Sequence, residues 1–193
     1  MGEIVEINII SEDKKLFDKL NYYILKYMNG HKIKKNFEIM DNWEYDNEKK
    51  VTSIEMAKEY IGKKIVCITN IGENGKVGMT VESQGDLLLY NVWLDLLYDN
   101  NSNKLMYEFI EYLSEQDGVN NIYMGAIGVE TKFDYITDCK TTIKNSHNID
   151  VWIIEKKDMF NKLLDGYKVF KTICCGEDNK EIYILLKKDL QSG

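Results

Sequence analysis

Residues 70–80 read NIGENGKVGMT. Three glycines, a Gly75-Lys76 pair and a nearby threonine invite comparison with a loop that cradles phosphate. That motif needs G-x-x-x-x-G-K-[ST] running into a helix. Here Gly72 and Gly75 stand too close together, Val77 occupies the Ser/Thr place, and the residues that follow are strand-like. Asn74-Gly75 is instead the preferred pair of a type I′ turn, because both central positions need positive φ. Between KIVCITNI and KVGMTVES it predicts a β-hairpin closed on those two residues, with Glu73 opposite Lys76, Thr69 opposite Thr80 and Ile68 opposite Val81. That register gathers Val66, Ile68, Val77, Met79 and Val81 on one face.

Working outward, DLLLYNVWLDLL supplies a third strand to the same meander. At the N-terminal end, EIVEINII alternates, with Val5, Ile7 and Ile9 on one side, and reads as a strand. Ser11 then suits the cap of a helix with Glu12 and Asp13 in its first turn and Leu16, Leu20, Tyr23, Ile24 and Tyr27 as its stripe, ended by Gly30. KKNFEIM is a further strand, and 41–50, DNWEYDNEKK, an acidic, aromatic loop. Thr52 and Glu55 have capping-box spacing before a short helix that stops at Gly62. Beyond the meander come a helix over 104–116 with Leu105, Met106, Phe109, Ile110 and Leu113 inward, the strand NIYMGAIGVE, and an unreadable stretch over 131–148. The strand IDVWIIE, a short helix at 158–164 closed by Gly166, and a last hairpin through 176–179 complete the chain.

The composition bounds the function. At 193 residues the sequence fits one well-cored domain, 1–193, with no linker or repeat to divide it. A net charge of −7 speaks against a duplex nucleic-acid binder and leaves a cationic partner electrostatically easier. Every basic residue is lysine, so no guanidinium clamp exists, and an anion must be held by backbone N–H groups or lysines. The four cysteines, Cys67, Cys139, Cys174 and Cys175, show no C-x-x-C spacing, so neither a metal site nor a disulfide framework is expected. The first residues carry too short an apolar run for a signal peptide, and no segment reaches the length of a membrane span. The expectation is a cytoplasmic protein that binds no membrane.

The order of strand, helices, three-strand meander, helix, strand, helix and two strands, with the tail LLDGYKVFKTICC…EIYILLKKDL, resembles the GNAT superfamily of N-acetyltransferases. The likeness covers most of the chain in topology and about a third of it in residue character. It implies an α+β fold: a mixed, largely antiparallel central sheet of about seven strands with helices on both faces. It also implies acetyl transfer from acetyl-CoA to an amine, with the third meander strand and the following loop holding the cofactor. Matched residue by residue, that assigns Val92 and Leu94 to the strand beside acetyl-CoA and Asn100, Asn101, Ser102 and Asn103 to the pyrophosphate loop. The loop departs from the family by lacking every glycine and by carrying Asp99. Asparagine tolerates the left-handed conformation, and a helix N-terminus offers free N–H groups, so the resemblance implies an unorthodox anion cradle there. The same residues also serve simply to cap a helix. A calcium loop is excluded, since Lys104 takes the turn-glycine place and Ile110 the bidentate-glutamate place. Where the family often has a tyrosine acid, this chain has Asn161, and Tyr167 is the substitute. Asp95 and Glu130, at strand ends flanking the expected cleft, are the candidate bases.

Two further features bear on function. His31 and His147 lie in polar surroundings and read as surface residues. The run Asp41-Asn42-Trp43-Glu44-Tyr45-Asp46 mixes aromatics with carboxylates, which suits contact with a basic partner or an amine; alternatively Trp43 tucks onto the core. Two functions follow. One is a GNAT-like acyltransferase, possible in a degenerate form. The other is a non-catalytic acidic binding protein, of the immunity or inhibitor type, that covers a basic surface of a toxin or nuclease.

Overall fold

The computed structural model describes residues 3–28, 33–72, 75–96, 102–115, 121–136, 138–155, 164–175 and 180–190. In it the central hairpin forms from β4 (Ile65–Gly72) and β5 (Gly75–Gln84), two residues out of the expected register. Gly72 faces Gly75, Ile68 faces Met79 and Val66 faces Val81, so the connection is 73–74 rather than Asn74-Gly75. A shift of two keeps side-chain parity. Val66, Ile68, Val77, Met79 and Val81 therefore still share one face and are all buried. The observed register sets the smaller Thr69 opposite Gly78, and Gly78 lies opposite Trp93 on the next strand, leaving room for the indole.

The full element order is β1 (Glu3–Ser11), α1 (Leu16–Tyr27), β2 (Lys34–Met40), β3 (Lys49–Val51), α2 (Ile54–Lys58), β4, β5, β6 (Leu87–Leu96), α3 (Ser102–Ser114), β7 (Ile122–Val129), α4 (Cys139–Asn145), β8 (Val151–Ile154), β9 (Tyr167–Cys175) and β10 (Lys180–Lys187). The expected mixed sheet of about seven strands with helices on both faces does not form. One sheet of ten strands runs β3-β2-β4-β5-β6-β1-β7-β8-β10-β9, antiparallel at every junction between neighbours. The physical reason lies in β1. Its alternation suggests a strand buried on one side, yet Asn8 and Ile10 are as buried as Ile7 and Ile9. A strand buried on both faces belongs in the middle of a sheet. β1 accordingly pairs with β6 on one side and β7 on the other, and α3 crosses over it.

The helices α1, α2 and α3 cover one face, contributing Phe17, Leu20, Ile24, Ala57, Met106, Phe109 and Ile110 to a core shared with Ile7, Val66, Met79 and Val92. The opposite face has no comparable helical layer among the described residues. Over β7, β8 and β10 it holds a smaller cluster in which Ile143 and Ile149 pack on Met124, Ala126 and Trp152. The 131–148 stretch that carries no readable pattern thus contains α4, capped by the Asp138 carboxylate on the N–H groups of Lys140 and Thr141, and a bridge between Lys132 and His147.

Several local boundaries also move. Ser11 ends β1 instead of capping α1: its hydroxyl donates to the Asn121 carbonyl at 2.8 Å and accepts from the Asp13 N–H at 3.1 Å. The cap of α2 is Ser53, one residue after Thr52, and its hydroxyl accepts from the Met56 N–H. The last 49–50 portion of the acidic loop joins β3. Gly30, residues 158–163 of the helix expected at 158–164, and the 176–179 turn lie outside the described residues.

Asn70 is fully enclosed on the helix-covered face of β4, opposite Val77, and among the described residues neither its side-chain nitrogen nor its side-chain oxygen has a hydrogen-bond partner. Leaving both groups unpaired carries a desolvation cost that an apolar side chain of similar size avoids. Asn70→Val is therefore expected to stabilise the chain by about 1–2 kcal/mol. Urea unfolding would read this as a higher midpoint at unchanged slope; a lower midpoint would mean that the amide engages a group in the folded chain.

Candidate functional site

The described residues among those assigned by the acetyltransferase resemblance do not all come together. Val92 and Leu94 point into the core and are 1% and 0% exposed, so neither faces a ligand. The strand carrying Val92 is not the neighbour of β7, because β1 fills the space between them and pairs with both. Asp95 and Glu130 do come to the same end of the sheet. Asp95 lies opposite Ile4, and the Glu130 N–H donates to the Ile4 carbonyl at 2.9 Å. Glu130 is exposed with φ 48, and Asp95 is half-buried. Tyr167 stands apart, beyond β8 and β10, and its hydroxyl donates to the Ile149 carbonyl at 2.6 Å. Burial raises that phenol above its ordinary range, which suits a structural bond rather than proton transfer. Ser102 and Asn103 are the first residues of α3. Asn100 and Asn101 lie outside the described residues.

What the structure does assemble is an exposed aromatic loop on the sheet face away from the helices. Val81 belongs to the core, so Glu82 beside it points to the opposite face. The Trp43 indole N–H donates to the Glu82 carboxylate at 2.8 Å, and Gln84 donates to the other oxygen of the same carboxylate at 3.0 Å. Trp43 remains 50% exposed and Tyr45 60% exposed. The indole is thus not tucked into the core.

The loop is cross-linked from within. The Asn42 carbonyl oxygen accepts from the N–H groups of Glu44 and Asp46, and its amide donates to the Asp46 carboxylate. Asn47 donates to the Asp41 carboxylate, which also pairs with Lys64 at 2.7 Å. Those two donors, Lys64 first, hold the Asp41 carboxyl below its ordinary range. Tyr45 and Asn47 both adopt positive φ. A segment that keeps two such residues in the left-handed region is held there by its surroundings. These hydrogen bonds place Trp43 and Tyr45 in a loop among Asp41, Glu44, Asp46 and Glu48.

A polar chain lies further along the same face. Asn91 donates to Asn8 at 2.8 Å, Asn8 donates to Thr131 at 3.1 Å, and Thr131 donates to Glu6 at 2.8 Å. Asn8 and Asn91 are directly opposite in register. Their sequence signal was an asparagine within each of two apolar strands, EIVEINIIS and LLLYNVWLDL, which pairing alone turns into a network.

Among the described residues no group of three His, Cys, Asp or Glu side chains is placed to hold a metal ion. No helix among them is long and apolar enough to cross a membrane. No protein-family model matches the chain, and no curated protein matches it.

Proposed function

We propose that this chain is a non-catalytic binding module that covers a basic surface on a partner protein, with the 41–48 loop at the centre of the contact. The observation that carries this reading is the pair Trp43 and Tyr45, at least half exposed in a hydrogen-bonded loop among carboxylates. Aromatic side chains of these types dominate interface energetics, and rigid presentation lowers the entropy lost on binding. The net charge of −7 supports a cationic partner, chiefly through faster encounter. A reducing, cytoplasmic setting suits the free thiols Cys67, Cys139 and Cys174. Acetyl transfer from acetyl-CoA to an amine is the competing reading; it rests on the resemblance alone, and the strand order, with β1 between the strand of Val92 and β7, lends it no support.

Carbodiimide cross-linking in the native host, followed by purification of the joined protein, supplies the partner for titration. The double variant Trp43→Ala, Tyr45→Ala should keep its melting temperature and weaken binding at least about 100-fold. Unchanged affinity in that variant would move the contact elsewhere. Acetyl-CoA at millimolar concentration would add about 4 kcal/mol of stability if it bound with micromolar affinity. A thermal shift of that size would favour the enzyme, and none is expected.

A further inference from the structure

The sheet ends on two strands of unequal length. β3, at one margin, has three residues; β9, at the other, has nine, and among the described residues no strand pairs with its outer edge. A long edge leaves backbone N–H and C=O groups aimed at any extended chain that comes alongside. Val169 is such a position. The Lys188 N–H donates to the Gly166 carbonyl at 2.8 Å, and Lys168 stands opposite Leu186 in the same register. Hydrogen-bonded positions alternate along an antiparallel pair, so Gly166 and Lys168 bond to β10 and the backbone groups of Val169 point away from it.

The side chains along this edge are uncovered as well. Val169 and Phe170, adjacent in sequence, are 38% and 42% exposed, and Lys168 and Thr172 are exposed beside them. The pairing with β10 slips by one residue between Val169 and Lys171, and this bulge lets Phe170 and Lys171 share one face. There Phe170 meets Tyr107 of α3 with ring centroids 5.5 Å apart, and Lys171 holds Glu111 at 3.1 Å. Lys168 is on that helix side too, opposite Leu186 of the main core, whereas Val169, opposite Leu185, belongs to the other face. The edge thus presents apolar surface on both faces and positive charge on one. β9 contains two lysines and no carboxylate, within a chain of net charge −7.

We propose that the free edge of β9 docks an extended acidic segment of another protein, which pairs with it as an added strand. Main-chain hydrogen bonds supply the affinity of such a contact, and alternate side chains supply its selectivity. Carboxylates of the incoming strand on the helix side face the exposed Lys168, with Lys171 shared between them and Glu111. Aliphatic side chains on the other side cover Val169. A second copy of this chain is the poorer occupant. Two β9 strands would line two lysines from each copy along one joint, and like charges across a strand pair are destabilising. Lysines on an edge therefore work against self-pairing while leaving it open to an acidic strand. This edge is at the opposite end of the sheet from β2 and β3, which the 41–48 loop joins, and it calls for a partner segment of opposite charge. It goes beyond the reading of that loop; either can fail without the other.

The test titrates the full chain with the acetylated, amidated peptide Val-Glu-Val-Glu-Val-Glu-Val, following amide NMR shifts and hydrogen exchange. The peptide should shift amides of β9 and slow exchange of the Val169 N–H, with an affinity that falls as salt rises. A counterpart with lysine in place of glutamate should do neither. Nor should one with proline at its third and fifth positions, which keeps every charge but lacks two N–H groups. Lys168→Glu, a surface change, should weaken binding about fivefold by turning an attraction into a repulsion. Val169→Pro deletes an outward N–H where an edge strand accepts proline, and should weaken binding about tenfold. No binding of the glutamate peptide at millimolar concentration, equal binding of all three peptides, or parental affinity in both variants would overturn the proposal. So would β9 amides that shift on dilution of the chain alone, since a second copy then holds the edge.

Discussion

Phe109→Ala should cost about 4 kcal/mol of folding stability, the usual loss for truncating a buried phenylalanine. Phe109 is fully buried at the middle of α3, and its ring meets the Tyr23 ring edge-on at an interplanar angle of 75°. Truncation removes the transfer free energy of the ring and leaves a cavity that its neighbours cannot easily close. Met106 and Ile110 on the same helix, and Ile7 and Val92 on the sheet below, are committed to the same core. The helix backbone itself is unaffected, since alanine favours helix more than phenylalanine does. The loss therefore reports packing alone. For a chain of this size the melting temperature should fall by roughly 8–16 °C, and urea unfolding should show a lower midpoint at constant slope. A loss under about 1 kcal/mol would be incompatible with α3 packed over β1, because a surface ring costs no more than that.

The identity of the strands was legible in the sequence to a greater degree than their neighbours. Val5, Ile7 and Ile9 mark β1 as a strand by period alone, and Asn8 between them reads as solvent-facing. In the sheet Asn8 is buried because Asn91 and Thr131 satisfy its amide. A polar residue at a buried position defeats pattern reading whenever its partner is distant in sequence, and Thr131 is 123 positions away. The consequence was large. The acetyltransferase resemblance implies a cleft between the strand of Val92 and its expected neighbour, Ile122–Val129, and β1 runs between the two. Val92 and Leu94 were then assigned to a ligand although their alternation with Asn91 and Trp93 equally suited the core. The aromatic loop was more legible, because Trp43 and Tyr45 sit among carboxylates within a few residues; only whether the indole turned inward was open.

Gly78→Ala should destabilise the chain by about 3 kcal/mol, at the upper end of what one extra carbon costs in a tightly packed site. A β-carbon at Gly78 would stand 2.5 Å from one atom of the Trp93 ring and closer still to another, and 2.7 Å from the Ile68 carbonyl oxygen. The two obstacles differ in kind. The Trp93 side chain projects from the face away from the helices and can rotate aside, at the loss of its contacts with the strand. The Ile68 carbonyl belongs to β4, which is held by β2 on one side and β5 on the other, and cannot yield without disturbing the ladder. The two contributions separate in a double-mutant cycle. If the ring dominates, Gly78→Ala in a Trp93→Ala background should cost only about 1 kcal/mol, the remainder being backbone crowding. If the full loss persists there, the carbonyl alone sets the requirement for glycine. Either outcome bears on NIGENGKVGMT, in which Gly78 resembled the last glycine of a flexible loop. Nothing about a turn requires glycine at this position, which lies inside β5 and directly opposite Trp93. The missing side chain admits an indole from the neighbouring strand β6, a requirement set by the β5–β6 pairing and separate from the Asn-Gly turn signal.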